Sequence, residues 1–483
     1  MPDSFPVLVA NPPWPGKGYG ARSNVRWPHR RGDKKLAFPV YLATAVSVLK
    51  NDGFDATGMD AVAREMGIDD FADSVSKLRP RAIFLEVSTP SIDSDIQTAD
   101  ALKRRMPEAL IVFMGPHVSV FHEELLKNNH FVDACIRREF EYTVRDVCLA
   151  LREGKGFGGI KGLTYRRGGE VVVNAERPLI QDLDELPWPD RNDFKIEDYQ
   201  QAFYKGKKTA LIVTSRGCPY QCIYCLWPAT MYGHVYRKRS PKNTVDEIEH
   251  LINAENIDEV FFDDDEFTLD RERVEGICEE IIRRGLKIKW HCMGRANNLS
   301  DRMLGLMKRA GCYQIFYGFE SGSQDILNSI KKGITKQQMK KAVSMTQKAG
   351  IVAGGSFILG LPEDDKKTAE DTIRFAVELG ADWVQFTYAA PFPGTEYYEI
   401  AKRQGWLDDI NWSDFDGTCG PIVRTKSLTR KEIIGLQNRA YKVYYTSPKI
   451  ISKNLRGIRS LRDVKRVVRG ARSVLSRIAY YKK

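Results

Sequence analysis

The sequence predicts an α/β protein made of two successive strand–helix alternations. The first is a doubly wound, Rossmann-like sheet and the second a partial (β/α)6 barrel. Three observations carry this. Short apolar runs alternate with helical stretches over residues 1–152 and do so again over 206–405. A chain of 483 residues is too long for one core. The stretch "RGCPYQCIYC" at residues 216–225 opens the second alternation with three of the nine cysteines.

In the first unit the strand candidates are residues 7–10, 55–59, 82–87, 110–113 and 132–136. Helix candidates lie at 41–50, 93–105, 121–127 and 142–152. Helical crossovers imply parallel strands, and ligands of such sheets sit beyond the strands' carboxyl ends. The loops there read "NPPWPG", "STPS" and "MGPHVS". Residues 153–205 are a connector, with a hairpin around Gly168-Gly169 and with Pro187 and Pro189 blocking regular structure. In the barrel the strand candidates are 211–214, 259–262, 287–292, 313–317, 352–359 and 383–388. Helix candidates are 245–253, 271–284, 301–310, 336–349 and 366–379. The first of these is expected to open with a capping box from Thr244 to Glu247. Residues 406–447 form an extension with no assigned element, and 448–483 a basic helical tail.

Composition narrows the class. With 42% hydrophobic and 28% charged residues the chain is neither disordered nor fibrous. There is no run of 18 apolar residues, and Met1-Pro2-Asp3-Ser4 carries no signal pattern, so a cytoplasmic location is expected. The net charge of +11 resides in the tail: residues 448–483 hold twelve Lys or Arg and one acid, Asp463. Cys135, Cys148, Cys278, Cys292, Cys312 and Cys419 are scattered and expected to act as small buried hydrophobes, not a disulfide framework.

Cys218, Cys222 and Cys225 follow the first barrel strand with the spacing C-x3-C-x2-C. Three thiolates could hold zinc, but zinc usually takes a fourth protein ligand, and no His or Cys lies in the next eight residues. A 4Fe–4S cluster on three thiolates leaves one iron open to a small chelating molecule. Pro219 keeps the loop out of helix, and Tyr224 can cover what binds.

Here the chain resembles the radical S-adenosylmethionine superfamily over residues 206–405. The resemblance implies that the open iron chelates S-adenosylmethionine. One electron, from a reductant such as flavodoxin or ferredoxin, then yields methionine and a 5′-deoxyadenosyl radical. It further implies an acceptor set for the methionine amino group at Asp264, Asp265 and Glu266 in "FFDDDEFT". Arg295 of "MGRANNL" would meet the carboxylate and Glu320 and Ser321 of "YGFESGS" the ribose. Phe357, Ile358 and Gly360 of "GGSFILGLPED" would line the adenine, and "APFPGTEYY" closes the set. Taken alone, "DDDE" is more often a solvated turn or a divalent-cation loop, and Glu320 more often a strand-end ion pair.

A five-stranded doubly wound unit ahead of such a barrel resembles the cobalamin-binding subgroup. The resemblance implies corrin contacts from Asn11, Pro12, Pro13, Ser88, Thr89, Gly115, Pro116, His117 and Glu139. The D-x-H-x-x-G motif that supplies a lower cobalt ligand in some relatives is absent, and Arg138-Glu139-Phe140-Glu141 replaces the usual Gly-Glu-Gly-Glu. The implied activity is cobalamin-dependent methyl transfer to an unactivated carbon of a small-molecule or lipid substrate. Cyclisation or rearrangement without methyl transfer, and a non-catalytic iron–sulfur or cobalamin sensor, are the alternatives. The tail carries a stripe from Ile451 through Leu455, Ile458 and Leu461 to Ile478 among arginines. It suits an anionic membrane surface, or packing on the barrel. Nucleic acid is not expected, because the stripe lacks interleaved aromatics.

Overall fold

The computed structural model describes residues 5–14, 36–199, 204–416 and 420–456. The first sheet runs in the order β2-β1-β3-β4-β5 with parallel pairing throughout. Its strands are β1 (Pro6–Asn11), β2 (Asp55–Asp60), β3 (Ala82–Glu86), β4 (Leu110–Met114) and β5 (Ala134–Ile136). The helices are α1 (Val40–Asn51), α2 (Ile68–Leu78), α3 (Ile92–Arg105), α4 (Val118–Asn128) and α5 (Glu141–Arg152). The sequence reading assigned no element at α2, although Ile68, Phe71, Ala72, Val75 and Leu78 recur at helical spacing and Phe71, Ala72 and Val75 are buried. Asp69 and Asp70 in its first turn favour a helix start there. The connector hairpin, β6 (Leu163–Arg167) and β7 (Glu170–Val173), continues this sheet, with β6 antiparallel to β5.

In the second unit β8 (Thr209–Ile212) is followed by a two-residue ladder of β9 (Ser215–Arg216) and β10 (Arg237–Lys238). Then come β11 (Glu259–Phe262), β12 (Lys289–Gly294), β13 (Cys312–Glu320), β14 (Val352–Leu359) and β15 (Trp383–Tyr388). The parallel order β8-β11-β12-β13-β14-β15 is an open barrel. Outside it lie α6 (Pro241–Glu255), α7 (Arg271–Arg283), α8 (Asp301–Arg309), α9 (Gln324–Ser329), α10 (Lys336–Lys348) and α11 (Lys366–Leu379). The expected capping box at Thr244 is not formed. Helix α6 starts one turn earlier, with Ser240 accepting from the Asn243 N–H and Pro241 at the first helical position. Proline's fixed φ and missing N–H suit that position.

The extension left unassigned by the sequence closes the barrel's edge. After α12 (Glu396–Arg403) and a single turn at Trp412–Asp416, helix α13 (Arg430–Thr446) lies against β15. Gln437 donates to the Phe386 carbonyl at 2.7 Å, the Phe386 N–H donates to Tyr441 Oη at 3.1 Å, and Tyr445 donates to the Val384 carbonyl at 2.8 Å. Side chains thus satisfy backbone groups that an edge strand leaves open. Helix α14 (Pro448–Arg456) begins the tail. Lys449 and Lys453 reach the last carbonyls of α11, those of Glu378 and Gly380, and Ile450 is buried while Ile451 is exposed. The stripe beyond α14, from Ile458 through Ile478, lies outside the described residues. No helix among the described residues is long and apolar enough to cross a membrane.

One apolar cluster runs through both units, joining Phe38 and Tyr41 of the first to Tyr224, Trp227 and Phe392 of the second.

Candidate active site

The cysteine loop is held at both ends. The β9–β10 ladder ties residue 216 to residue 237. Gly217 takes φ +81°, where a Cβ would collide with the Val235 carbonyl, and its N–H donates to Asp265 at 2.9 Å. His234 Nδ1 lies 3.2 and 2.9 Å from the Cys218 and Tyr220 carbonyls, to which it donates. Cys218, Cys222 and Cys225 are partly accessible, whereas Cys135, Cys148, Cys278, Cys292 and Cys312 are buried as expected. Cys419 lies outside the described residues. Burial, with Asp265 and Glu266 nearby, pushes the Cys218 thiol up to about 12, so a thiolate here needs a cation bound to it. Among the described residues no three His, Cys, Asp or Glu side chains already form a single-ion site.

Below the loop the barrel encloses a cavity of about 530 Å³ lined by all three cysteines. Two cations face it. Arg295 is 4% exposed and stacks on Tyr220 with Cζ 3.5 Å from the ring centroid; its Nε and Nη2 have no protein partner. Two orphaned guanidinium donors in a cavity fit a carboxylate. Lys332, which no sequence signal singled out, donates to Glu320 Oε1 at 2.7 Å and lies 3.5 Å from Tyr224 Oη. Burial opposes its charge, but Glu320 and Cys222 outweigh this and hold Lys332 above the usual lysine range. Asp265, Glu266, Glu320, Tyr224 and Ile358 line the same cavity. The set is therefore three thiols, a buried carboxylate group and orphaned cationic donors, which suits an iron–sulfur cluster bearing an amino-acid ligand.

Four expected contacts are not brought to the cavity. Asp264 is fully buried in the wall, accepting from Thr214 N–H and Oγ1 at 2.6 Å each, Ser215 Oγ at 2.8 Å and Arg273 at 2.8 Å. Alternation continues from β11 as far as Asp265, so Asp263 and Asp265 face inward and Asp264 outward, and it breaks at Glu266, which also lines the cavity. Ser321 bonds Thr372 at 3.1 Å. Phe357 stacks with Phe319, Phe375 and Phe386 in the outer core. Gly360 turns the chain at φ +77° and donates to Asp364 at 3.1 Å.

On the first unit, Asn11, Ser88, Thr89, Gly115, Pro116 and His117 converge where β1, β3 and β4 end, and Pro12 and Pro13 follow β1. A Cβ at Gly115 would collide with the Val87 carbonyl. Asn11 donates to Asp60 at 3.2 Å while its buried Oδ1 has no partner, an acceptor suited to an amide-rimmed ligand such as a corrin. His117 is 3% exposed, 3.1 Å from Thr89 Oγ1 and covered by Trp412 at 5.2 Å, so it is committed to packing. Glu139 does not join this group. It accepts from Arg237 at 2.8 Å, Arg216 at 3.2 Å and the Ile180 N–H at 2.8 Å, while Glu141 accepts from Arg216 at 2.6 Å. These two acids clamp the first unit to the cysteine loop, since Arg216 stands two residues before Cys218.

Removing the Arg295 guanidinium tests the carboxylate reading. Arg295→Met is expected to weaken S-adenosylmethionine binding by about 1–3 kcal/mol. Iron content should stay unchanged, both quantities being measured on the same reconstituted sample.

Comparison with known proteins agrees. The Radical SAM superfamily profile matches residues 212–376 and the B12 binding domain profile residues 37–148. An uncharacterized methyltransferase of Pyrococcus horikoshii is 33% identical over 417 residues, 86% of this chain and 90% of that protein. An anaerobic magnesium-protoporphyrin IX monomethyl ester cyclase of Cereibacter sphaeroides is 29% identical over 432 residues, 87% of this chain and 69% of that one. The fold matches the cobalamin-dependent S-adenosylmethionine radical enzyme OxsB at a TM-score of 0.73 and 17% identity, over 98% of this chain and 71% of that one. A cysteine loop at a barrel mouth, clamped to a doubly wound unit of the B12-binding kind, thus places the chain in the radical S-adenosylmethionine superfamily, among its cobalamin-binding members, whose cofactors are a 4Fe–4S cluster, S-adenosylmethionine and cobalamin.

Proposed function

We propose that this protein is a cobalamin-dependent radical methyltransferase acting on an unactivated carbon of a small molecule enclosed in the barrel. The observation that carries the proposal is that one chamber is shared: Ala37 of the first unit lines the same cavity as Cys218, Cys222 and Cys225. When bound, the cofactors supply a carbon-centred radical and a transferable methyl group. The chain's own residues do the rest. Arg295 and Lys332 offer positive charge to a carboxylate, and Asp265, Glu266 and Glu320 offer acceptors to amine and hydroxyl donors. Leu226, Trp227 and Phe392 form apolar wall and exclude water. A one-electron donor such as flavodoxin or ferredoxin is required. A lipid substrate and peripheral contact with an anionic membrane on the cytoplasmic side are the reading that the basic tail supports.

A second reading is radical cyclisation or rearrangement, favoured by the cyclase relative that aligns over 87% of the chain. Products separate the readings. The reconstituted chain is incubated without oxygen with reductant, cobalamin, methyl-deuterated S-adenosylmethionine and a cell metabolite extract. Methyl transfer yields S-adenosylhomocysteine and 5′-deoxyadenosine together, with deuterium in a new metabolite. 5′-Deoxyadenosine without S-adenosylhomocysteine selects the rearrangement. Neither product would leave a sensor, against which the orphaned Arg295 donors in the cavity lined by the three cysteines speak.

A further inference from the structure

The lower half of the chamber, away from the cysteine loop, is built around a fixed histidine. Phe261, His291 and Gln314 are register partners on β11, β12 and β13, so they share one layer of the barrel. All three line the cavity. Met293, Phe316 and Trp383 line it in the next layer up, nearer the cysteine loop.

Beneath this floor Glu259 is fully buried. It accepts from the Lys205 N–H at 2.8 Å, from Thr209 Oγ1 at 2.9 Å, and from the Gly206 N–H and Tyr313 Oη. His291 Nδ1 lies 3.1 Å from Glu259 and 3.0 Å from Tyr313 Oη. A carboxylate so placed can only accept, so Nδ1 must carry the ring proton and Nε2 is the unprotonated nitrogen. Burial, only partly countered by Glu259, holds His291 below the usual histidine range and keeps the ring neutral. The ring cannot turn: Phe261 stacks on it at 4.5 Å and 8°, and Tyr204 packs at 5.6 Å.

Gln314 is oriented by the same kind of logic. Trp383 Nε1 is a donor only and lies 3.2 Å from the Gln314 side-chain oxygen. The Gln314 amide nitrogen is therefore the group left to serve as a donor beside His291, with the two backbones about 4.8 Å apart on neighbouring strands.

We infer that the floor of the chamber is a recognition site for an uncharged, ring-bearing ligand. The ligand's terminal hydroxyl or N–H donates to His291 Nε2 and, where it has a lone pair, accepts from Gln314. The walls supply the ring contacts through Phe261, Phe316 and Trp383. Charge sets the class. The lining cations, Arg295 and Lys332, stand at the strand ends near the cysteine loop, and the floor has Glu259 beneath it and Asp263 one layer above it. An anionic terminus would find no cation lining the floor, because Lys205 does not line the cavity and holds its Nζ 4.1 Å from the centroid of the Tyr313 ring. His291 and Gln314 are thus specificity-determining residues. The inference rests on the chamber being the substrate site proposed above, and names the part of the substrate that points away from the cysteine loop.

The test uses phenol as the probe and needs no turnover. The full chain, with its cluster oxidised and S-adenosylmethionine present, is labelled with 15N-histidine. The His291 signals are identified among the seven histidines by their loss in His291→Gln. The expected result is an Nδ1–H tautomer whose Nε2 resonance moves saturably toward the protonated position as phenol is added. Toluene should compete without causing that shift, and benzoate should do neither. Gln314→Leu should raise the phenol dissociation constant roughly two- to tenfold while leaving the tautomer unchanged. An Nε2–H tautomer, an Nε2 resonance indifferent to phenol, or benzoate binding as tightly as phenol would each overturn the inference. Failure here with S-adenosylhomocysteine still formed condemns the floor assignment alone. A positive phenol result with no methylated product condemns the proposed reaction and leaves the floor site standing.

Discussion

The triple variant Cys218→Ala, Cys222→Ala, Cys225→Ala is expected to lose its cluster iron and all cleavage of S-adenosylmethionine, while the fold stays cooperative. The three thiols sit in a loop whose shape is fixed by other groups: the β9–β10 ladder, the Gly217 N–H on Asp265 and His234 on two carbonyls. Removing the sulfurs therefore removes ligands without removing the loop's supports. Single replacements should already abolish stable loading, because a cubane holding two thiolates loses a further iron to solvent. The five buried cysteines are replaceable by Ala or Val with no loss of iron, since they belong to the apolar cores. Iron and sulfide analysis with the visible spectrum of the anaerobic protein decides the matter. Cluster iron retained in the triple variant would show the loop to be the wrong site.

The second large effect is expected at the clamp. Arg216, Glu139, Glu141 and Arg237 are each no more than 5% exposed, and they join the two units at 2.6–3.2 Å. Arg216→Met leaves Glu141 buried without its cation, which costs about 3–5 kcal/mol. The double variant Arg216→Met, Glu141→Leu removes both charges and should recover most of that loss, because paired apolar replacements of buried ions are often neutral. Denaturant midpoints for the four members of this cycle give the coupling energy directly. The functional reading is separate. Arg216 is a positioning residue two places from Cys218, so the stabilised double variant should still load iron yet show an altered electron paramagnetic resonance signal of the reduced cluster. An unchanged signal and unchanged turnover in that variant would reduce the clamp to a purely structural role.

Much of the architecture was legible in the chain. The strands at 259–262, 352–359 and 383–388 match to the residue, because each is a short apolar run bounded by a helix on either side. The cysteine spacing is local chemistry and survives any uncertainty about the fold. Helix α2 was legible in the spacing of Ile68, Phe71, Ala72, Val75 and Leu78, whereas α13 serves a function no local pattern encodes, the covering of the β15 edge.

The carboxylates divide by the same reasoning. Strand alternation continued past Phe262 would have separated inward-facing Asp265 from Asp264, since extended backbone repeats every two residues. No such signal existed for Glu139, whose partners stand 77 and 98 residues away, nor for the Glu259–Tyr313 contact, 54 residues apart. Sequence by itself therefore determined the fold class, the order of the two units and the three cysteines proposed as ligands of the cluster, because these depend on periodicity and spacing within one element. Tertiary structure alone decided which acids face the chamber, which acids bind the units together, and that His291 and Gln314 form its floor. Those assignments depend on groups from distant strands meeting in a space from which water has been removed, where each donor must find an acceptor.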